Sequence, residues 1–217
     1  MFLGHFAVAF GSKKIVPAVS LGTLILAAQL IDLVWPILLI LGVEHVRIDP
    51  GNTPFTPLDF YDYPITHSLL LVLVWSLLFG AVYFGLRRGW RGAVLAGCAV
   101  LSHWVLDFIT HRPDLPLVPW EGPYAGLGLW NSVPATIIVE WGIFIAGVIL
   151  YATTTRPLDR VGRYAFWGLV AFLVLSAVAS TIGPVPPDTQ AIAYTALLLW
   201  LLVPWGYWID RHRQPVS

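Results

Sequence analysis

Residues 90–110 read WRGAVLAGCAVLSHWVLDFIT. After Arg91 the stretch is apolar or small as far as Ser102 and His103, and Asp107 follows four residues later. As a helix rising ~1.5 Å per residue it is ~31 Å long, the thickness of a bilayer's hydrocarbon core. It therefore reads as a membrane span that carries two ionisable side chains on one face, since positions i and i+4 are neighbours on a helix. A carboxylate at mid-bilayer costs about 2.5–3.5 kcal/mol on insertion scales, so such residues need a partner or a purpose.

The rest of the chain agrees with a membrane setting. Of 217 residues, 58% are hydrophobic and 11% charged, against about 25% charged in a typical soluble domain. Mean hydropathy is +0.77. Net charge is zero, so there is no basic field to attract nucleic acid. With Cys98 as its single cysteine the chain has no intrachain disulfide and no cysteine-rich metal site. Any metal is held by nitrogen and oxygen. The apolar run after Lys13 and Lys14 has no small-residue cleavage site and contains Asp32, so it reads as a retained span rather than a signal peptide.

Six segments are long enough to cross, at about 15–43, 65–86, 90–110, 133–152, 163–182 and 191–209. The fold expected is all-α, one integral membrane domain over 1–217, with residues 1–152 supplying the site and 153–217 adding two scaffold helices. Lys13, Lys14, Arg87, Arg88, Arg91, Arg156, Arg160, Arg163, Arg211 and Arg213 fall on one side of this arrangement, and only Arg47 and Arg112 on the other. Basic residues favour the cytoplasmic side, so both termini are expected there, in a multi-pass protein of a bacterial or archaeal cytoplasmic membrane. The long connections 44–64 and 111–132 then lie on the far side. Their Pro, Gly, Asp and aromatic content suits lids, binding loops or an interfacial belt, with Trp120, Tyr124 and Trp130 as belt residues.

The ionisable residues inside the spans are Asp32, His67, His103, Asp107 and Glu140. Measured from the far surface they lie about 16, 3, 10, 5 and 10 Å deep. Pro36 is expected to kink the first span near Asp32. Five such residues from four helices in one leaflet suit a metal centre in a helical bundle, with zinc or another first-row divalent ion favoured by mixed imidazole and carboxylate donors. Singly, each has a plainer reading. Asp107 can pair with Arg112, Glu140 can accept the Trp130 indole N–H, and Asp32 with Gln29 can serve as helix-packing glue. His111 continues the row but lies ~12 Å along the axis from His103, which makes it an edge or lid residue. Positive-inside topology puts His5 on the basic side. A helix over residues 2–11 dipping back into the bilayer would bring it near Asp32, and the two placements stay open.

The segments GHFAVAFGSKK, LIDLVWP, ITHSLL, LSHWVLDFIT, DLPLVPW and VEWGIF resemble the YdjM-like membrane-bound metal-dependent hydrolases over roughly residues 4–142. The resemblance implies His5, Asp32, His67, His103, Asp107 and Glu140 as site residues; in the hydrolytic reading His67, His103, Asp107, Asp32 and His5 hold the metal, and Glu140 or Asp32 takes the water's proton. Three features depart from the family pattern, one of them the loop HRPDLPL, which lacks the usual glycine. The usual Asp-x-Asp is Asp32-Leu33-Val34, and the Arg-Gly before Thr-His is replaced within Tyr63-Pro64-Ile65, which removes a possible phosphate clamp. The function expected is hydrolysis of a lipid or lipid-linked substrate by a metal-activated water, approached from the outer leaflet. The alternatives are ion or metal transport and a non-catalytic, metal-stabilised membrane protein. Transport requires polar residues through both leaflets, and the basic-side half of the spans is almost purely apolar.

Overall fold

The computed structural model describes residues 1–216. The chain opens with α1 (Phe2–Ile15), which is buried nearly all round, from Leu3 and Phe6 to Phe10 and Lys13. A helix apolar on every side is an interior helix, and α1 packs against α7 (Val133–Thr154, reached later in the chain). Its last turn carries Lys13 and Lys14, where cations favour the negative end of the helix dipole.

The chain turns at residues 16–20 and rises through α2 (Leu21–Ala28), whose Ser20 N-cap accepts Thr23 N–H at 3.2 Å. Then comes α3 (Leu30–Ile40). The two meet at 54°, with Gln29 between them at φ −103°, ψ 2°. The sequence predicts the kink at Pro36. α3 continues through Pro36 without a break, and the 54° bend lies at Gln29. Trp200 Nε1 donates to Leu33 O at 2.9 Å and braces this segment from outside.

The first long connection folds into an antiparallel ladder, β1 (His45–Ile48) with β2 (Leu58–Asp62). A single turn, α4 (Pro64–His67), has Pro64 at its first position, where the missing N–H costs nothing. It stops at extended Ser68 before α5 (Leu69–Arg87). α6 (Trp90–Thr110) returns along α5. A Cβ on Gly97 would lie 3.0 Å from Ser76 O, and Ser76 Oγ donates to Gly97 O at 2.7 Å. Small residues thus let the two backbones approach, as in other membrane helix pairs.

The second connection pairs β3 (Leu115–Pro116) with β4 (Tyr124–Ala125). α7 follows, then β5 (Thr155–Pro157), α8 (Arg160–Ile182), α9 (Thr189–Leu197), a 3₁₀ turn, α10 (Leu202–Arg211) and β6 (Arg213–Pro215), which pairs with β5. Among the described residues, five helical stretches are long and apolar enough to cross a membrane, with Thr189–Arg211 counted as one, or six if the bent α2–α3 pair is also one span. The protein is a helical bundle of the multi-pass membrane class. The turns at 16–20, 88–89, 155–159 and 212–216 share a basic face. The ladders β1–β2 and β3–β4 share the opposite, loop face. Met1 lies on neither, because α1 starts inside the bundle and runs out to Lys13 at the basic face.

Candidate metal centre

The break at Gln29 has a chemical consequence. It turns the Ala28 carbonyl toward α6, where it accepts a hydrogen bond from His103 Nδ1 at 2.9 Å. That bond commits the Nδ1 proton and leaves Nε2 facing the interior. Nε2 is 3.2 Å from Asp107 Oδ2 and 3.4 Å from Asp32 Oδ1, yet neither approach has hydrogen-bond geometry and the nitrogen has no partner. His67 Nε2, from α4, lies 3.7 Å from the same Asp32 oxygen and 3.8 Å from the same Asp107 oxygen. Two imidazole nitrogens and two carboxylates thus face a common point. They come from three elements, α3 (Asp32), α4 (His67) and α6, which supplies both His103 and Asp107.

α1 completes the cluster. His5 stacks flat on His103, ring centroids 3.7 Å apart and planes within 5°. Its Nε2 is 3.2 Å from Asp107 Oδ1, and both of its ring nitrogens are buried without a hydrogen bond. The Met1 α-amino nitrogen is 2.6 Å from the same Oδ1. The donor atoms of His5, His103 and Asp107 all lie within 4.8 Å of one another, as do those of Asp32, His67 and His103. Leaving a buried polar group unpaired costs about 1–3 kcal/mol, and interiors rarely tolerate several together. The orphaned nitrogens fit a divalent cation, and an all-N/O donor set suits a first-row metal.

Glu140 reaches the centre from α7. Its Oε2 accepts Leu3 N–H at 3.2 Å, one of the donors that the first turn of α1 leaves open. It does not bond to the Trp130 indole, whose nitrogen has no partner. Asp107 does not pair with Arg112 either. Arg112 bonds to Asp59 and, at 3.1 Å, to Asp114. His111 stands apart from the metal-type donors. Its Nδ1 is 2.9 Å from Asp114 Oδ1, its ring lies 4.2 Å from that of Trp130, and burial pulls its pKa below the usual histidine value.

A cavity of about 540 Å³ opens onto the cluster, with Asp32, His67, Asp107 and Glu140 at its floor. Its aromatic walls include Trp35, Phe60, Trp130 and Trp141, and Pro184 to Pro186 after α8 form part of its rim. The roof is the β1–β2 loop from Pro50 to Leu58. The 111–132 connection contributes His111 and Trp130. α7 lines the cavity with Thr136, Ile137, Glu140 and Trp141, and the end of α8 with Ala177 and Ala179 to Thr181. Of the expected belt residues, Trp120 and Tyr124 are exposed and Trp130 is buried.

Glu44 escapes a sequence reading. Fully buried between α3 and β1, it accepts Thr66 N–H at 2.8 Å and Thr66 O–H at 2.7 Å. Thr66 Oγ1 is in turn 2.7 Å from His67 Nδ1. No periodicity links position 44 to position 66. The only signal was a carboxylate at the exit of an apolar run.

A polytopic helical membrane protein with a buried His/Asp cluster of metal-binding type is the class that fold and site define. Residues 3–185 match the YdjM inner membrane protein family, and the chain belongs to that family. No curated protein and no solved structure shows significant similarity to it.

Proposed function

We propose that the protein is a membrane-embedded, metal-dependent hydrolase acting on a lipid or lipid-linked substrate. The observation that carries the reading is the convergence of His103 Nε2 and His67 Nε2 on Asp32 and Asp107 at the floor of an open cavity. His67, His103, Asp107, Asp32 and His5 hold the ion, with zinc the first choice for this donor set. A divalent ion bound there supplies a Lewis acid and lowers the pKa of water toward ~7.

The chain's own groups do the rest. Glu140 lines the same cavity, and its Oε2 is steadied by Leu3 N–H. Its second oxygen takes a proton from the attacking water as general base, with Asp32, the more open of the two cluster carboxylates at 27% side-chain exposure, beside it. The aromatic walls hold the apolar part of the substrate. The loop face lies outside and the basic face in the cytoplasm of a bacterial or archaeal cell.

Two features favour catalysis over the alternatives. The floor opens to a cavity, whereas a purely structural ion is expected to be closed in by its ligands. Toward the basic face, the bundle is filled by Phe6, Phe10, Phe144, Tyr151 and Phe166, which gives access from one side as an enzyme needs, not a path through. The test is metal analysis of purified protein together with hydrolysis of a lipid panel. Wild type is expected to carry divalent metal and to lose both metal and hydrolysis on His103→Ala or Asp107→Ala. Equal metal content in all three proteins would overturn the reading.

A further inference from the structure

We infer that Glu44 is a positioning residue that sets which nitrogen of His67 faces the metal centre, acting through the Thr66 hydroxyl. Its consequence for ligation rests on the metal-centre reading, whereas the proton arrangement is a property of the chain by itself.

The arrangement follows from counting protons. An ionised carboxylate only accepts hydrogen bonds, and a threonine hydroxyl has one proton to give. Glu44 Oε1 takes Thr66 N–H at 2.8 Å and Oε2 takes the Thr66 hydroxyl proton at 2.7 Å. With that proton committed, Thr66 Oγ1 can only accept from His67 Nδ1, 2.7 Å away. His67 is therefore protonated on Nδ1, and in the neutral ring its Nε2 offers a lone pair toward Asp32 and Asp107. Ala28 O does the same for His103 through one direct bond. Partners behind a ligating histidine are a general device for fixing its tautomer and ring orientation. Here the device is relayed through a hydroxyl, from a carboxylate that itself has no access to solvent.

Glutamine at position 44 keeps the shape and changes the proton count. Its amide oxygen still accepts Thr66 N–H, but its NH₂ now donates to Thr66 Oγ1. The hydroxyl proton is freed to point at His67 Nδ1, and the imidazole proton moves to Nε2, where it blocks ligation.

The experiment reads the tautomer and the metal separately. In ¹⁵N-histidine-labelled protein at pH 8.5, His67 is identified by the signals lost in His67→Gln. Nδ1-protonated His67 is expected in metal-free wild type and Nε2-protonated His67 in Glu44→Gln. Zinc affinity, measured by competition with a chelator, is expected to fall 10–100-fold in Glu44→Gln and in Thr66→Val, and to stay near wild type in Thr66→Ser. Folded Glu44→Gln with the wild-type tautomer overturns the inference. If Glu44→Gln does not fold, the Thr66 pair decides, and equal zinc affinity in Thr66→Val and Thr66→Ser overturns it. Wild type that binds no zinc removes the metal-centre reading instead, and the tautomer in metal-free protein still decides the role of Glu44.

Discussion

The two ends of the bundle bury charge in opposite ways. At the basic face the Lys13 ammonium donates to Asp210 Oδ2 and to Val19 O, each at 2.9 Å. Asp210 also accepts Leu21 N–H and, at 3.3 Å, the Tyr151 hydroxyl. Arg213 gives protons to Thr155 Oγ1, Thr155 O and Gly162 O at 3.0, 2.9 and 3.2 Å, with its guanidinium over the rings of Tyr151 and Phe166. Donors meet acceptors there, and the chain neutralises itself. Toward the loop face, carboxylates face imidazole nitrogens that have no hydrogen-bond partner, His103 Nε2 and both nitrogens of His5. His5, His67 and His103 turn toward Asp32 and Asp107, and the Met1 α-amino group answers only Asp107 Oδ1. Both regions bury charged side chains, so burial alone marks neither as a site. The unpartnered nitrogens do.

Removing the groups of the metal-type cluster should break this contrast most sharply. His103→Ala and Asp107→Ala are expected to abolish stoichiometric metal, read by elemental analysis. Chelation should lower the Tm of wild type, since a ligand at a hundred times its Kd stabilises by about 2.7 kcal/mol, and should leave the two variants unmoved. Asp210→Ala makes the converse case. It strands Lys13, whose side chain is 5% exposed, and breaking a buried pair from one side costs about 3–5 kcal/mol. The expectation is a large fall in Tm with unchanged metal per folded protein. Lys13→Met with Asp210→Leu should recover most of the loss, because replacing both partners removes the stranded charge. Metal loss in Asp210→Ala at full fold would show that the two ends are coupled, and would end the comparison.

How much of this was legible follows the same division. The multi-pass bundle could be read from runs of apolar residues, and the alternation of basic loops matches the two faces. Asp32, His67, His103 and Asp107 stood out because each is expensive in lipid. Their convergence depended on features that hydropathy does not encode. Proline is the usual cause of a kink, so the sequence points to Pro36, whereas the 54° bend lies at Gln29. His67 sits on a one-turn helix cut off by extended Ser68, where the sequence suggested the start of a span. α1 was legible in principle. FLGHFAVAFG has no charged residue on any face, the mark of an interior helix, and a helix over residues 2–11 dipping into the bilayer is one of the two placements the sequence allows for His5. Glu44 was out of reach, because its meaning depends on a partner 22 residues away.

A smaller effect tests how α1 holds His5 in place. α1 lies against α7 at Ala7 and Gly147, where a Cβ on Gly147 would come within 2.7 Å of both Cα and O of Ala7. The neighbours are backbone atoms, so the helices must part. Gly147→Ala is expected to cost about 1–3 kcal/mol, the usual penalty for overpacking, measured as a lower Tm. Metal affinity should fall by several-fold as His5 is drawn from His103 and Asp107. A stability loss with wild-type affinity would mean that His5 is not a ligand, and would confine the centre to Asp32, His67, His103 and Asp107.

The smallest expected effect belongs to the basic face, where charge is already matched. Asp159 caps α8, accepting Gly162 N–H at 2.8 Å and facing His212 Nδ1 at 2.7 Å. The Gly162 N–H, and after it His212, hold its carboxyl below the usual aspartate range. A depressed folded-state pKa contributes stability that is present above the unfolded pKa and lost as pH falls through the folded one. Wild type should therefore lose slightly more Tm than Asp159→Asn on acidification below about pH 4, the ordinary range for aspartate. The difference between the two proteins is the quantity to follow, because protonation of the metal-type cluster lowers both alike. Asp159 is solvent-exposed, so the gap should also shrink in high salt. A gap as large as that of Asp210→Ala would mean that the exposed cap, not the buried Lys13–Asp210 pair, anchors the basic face.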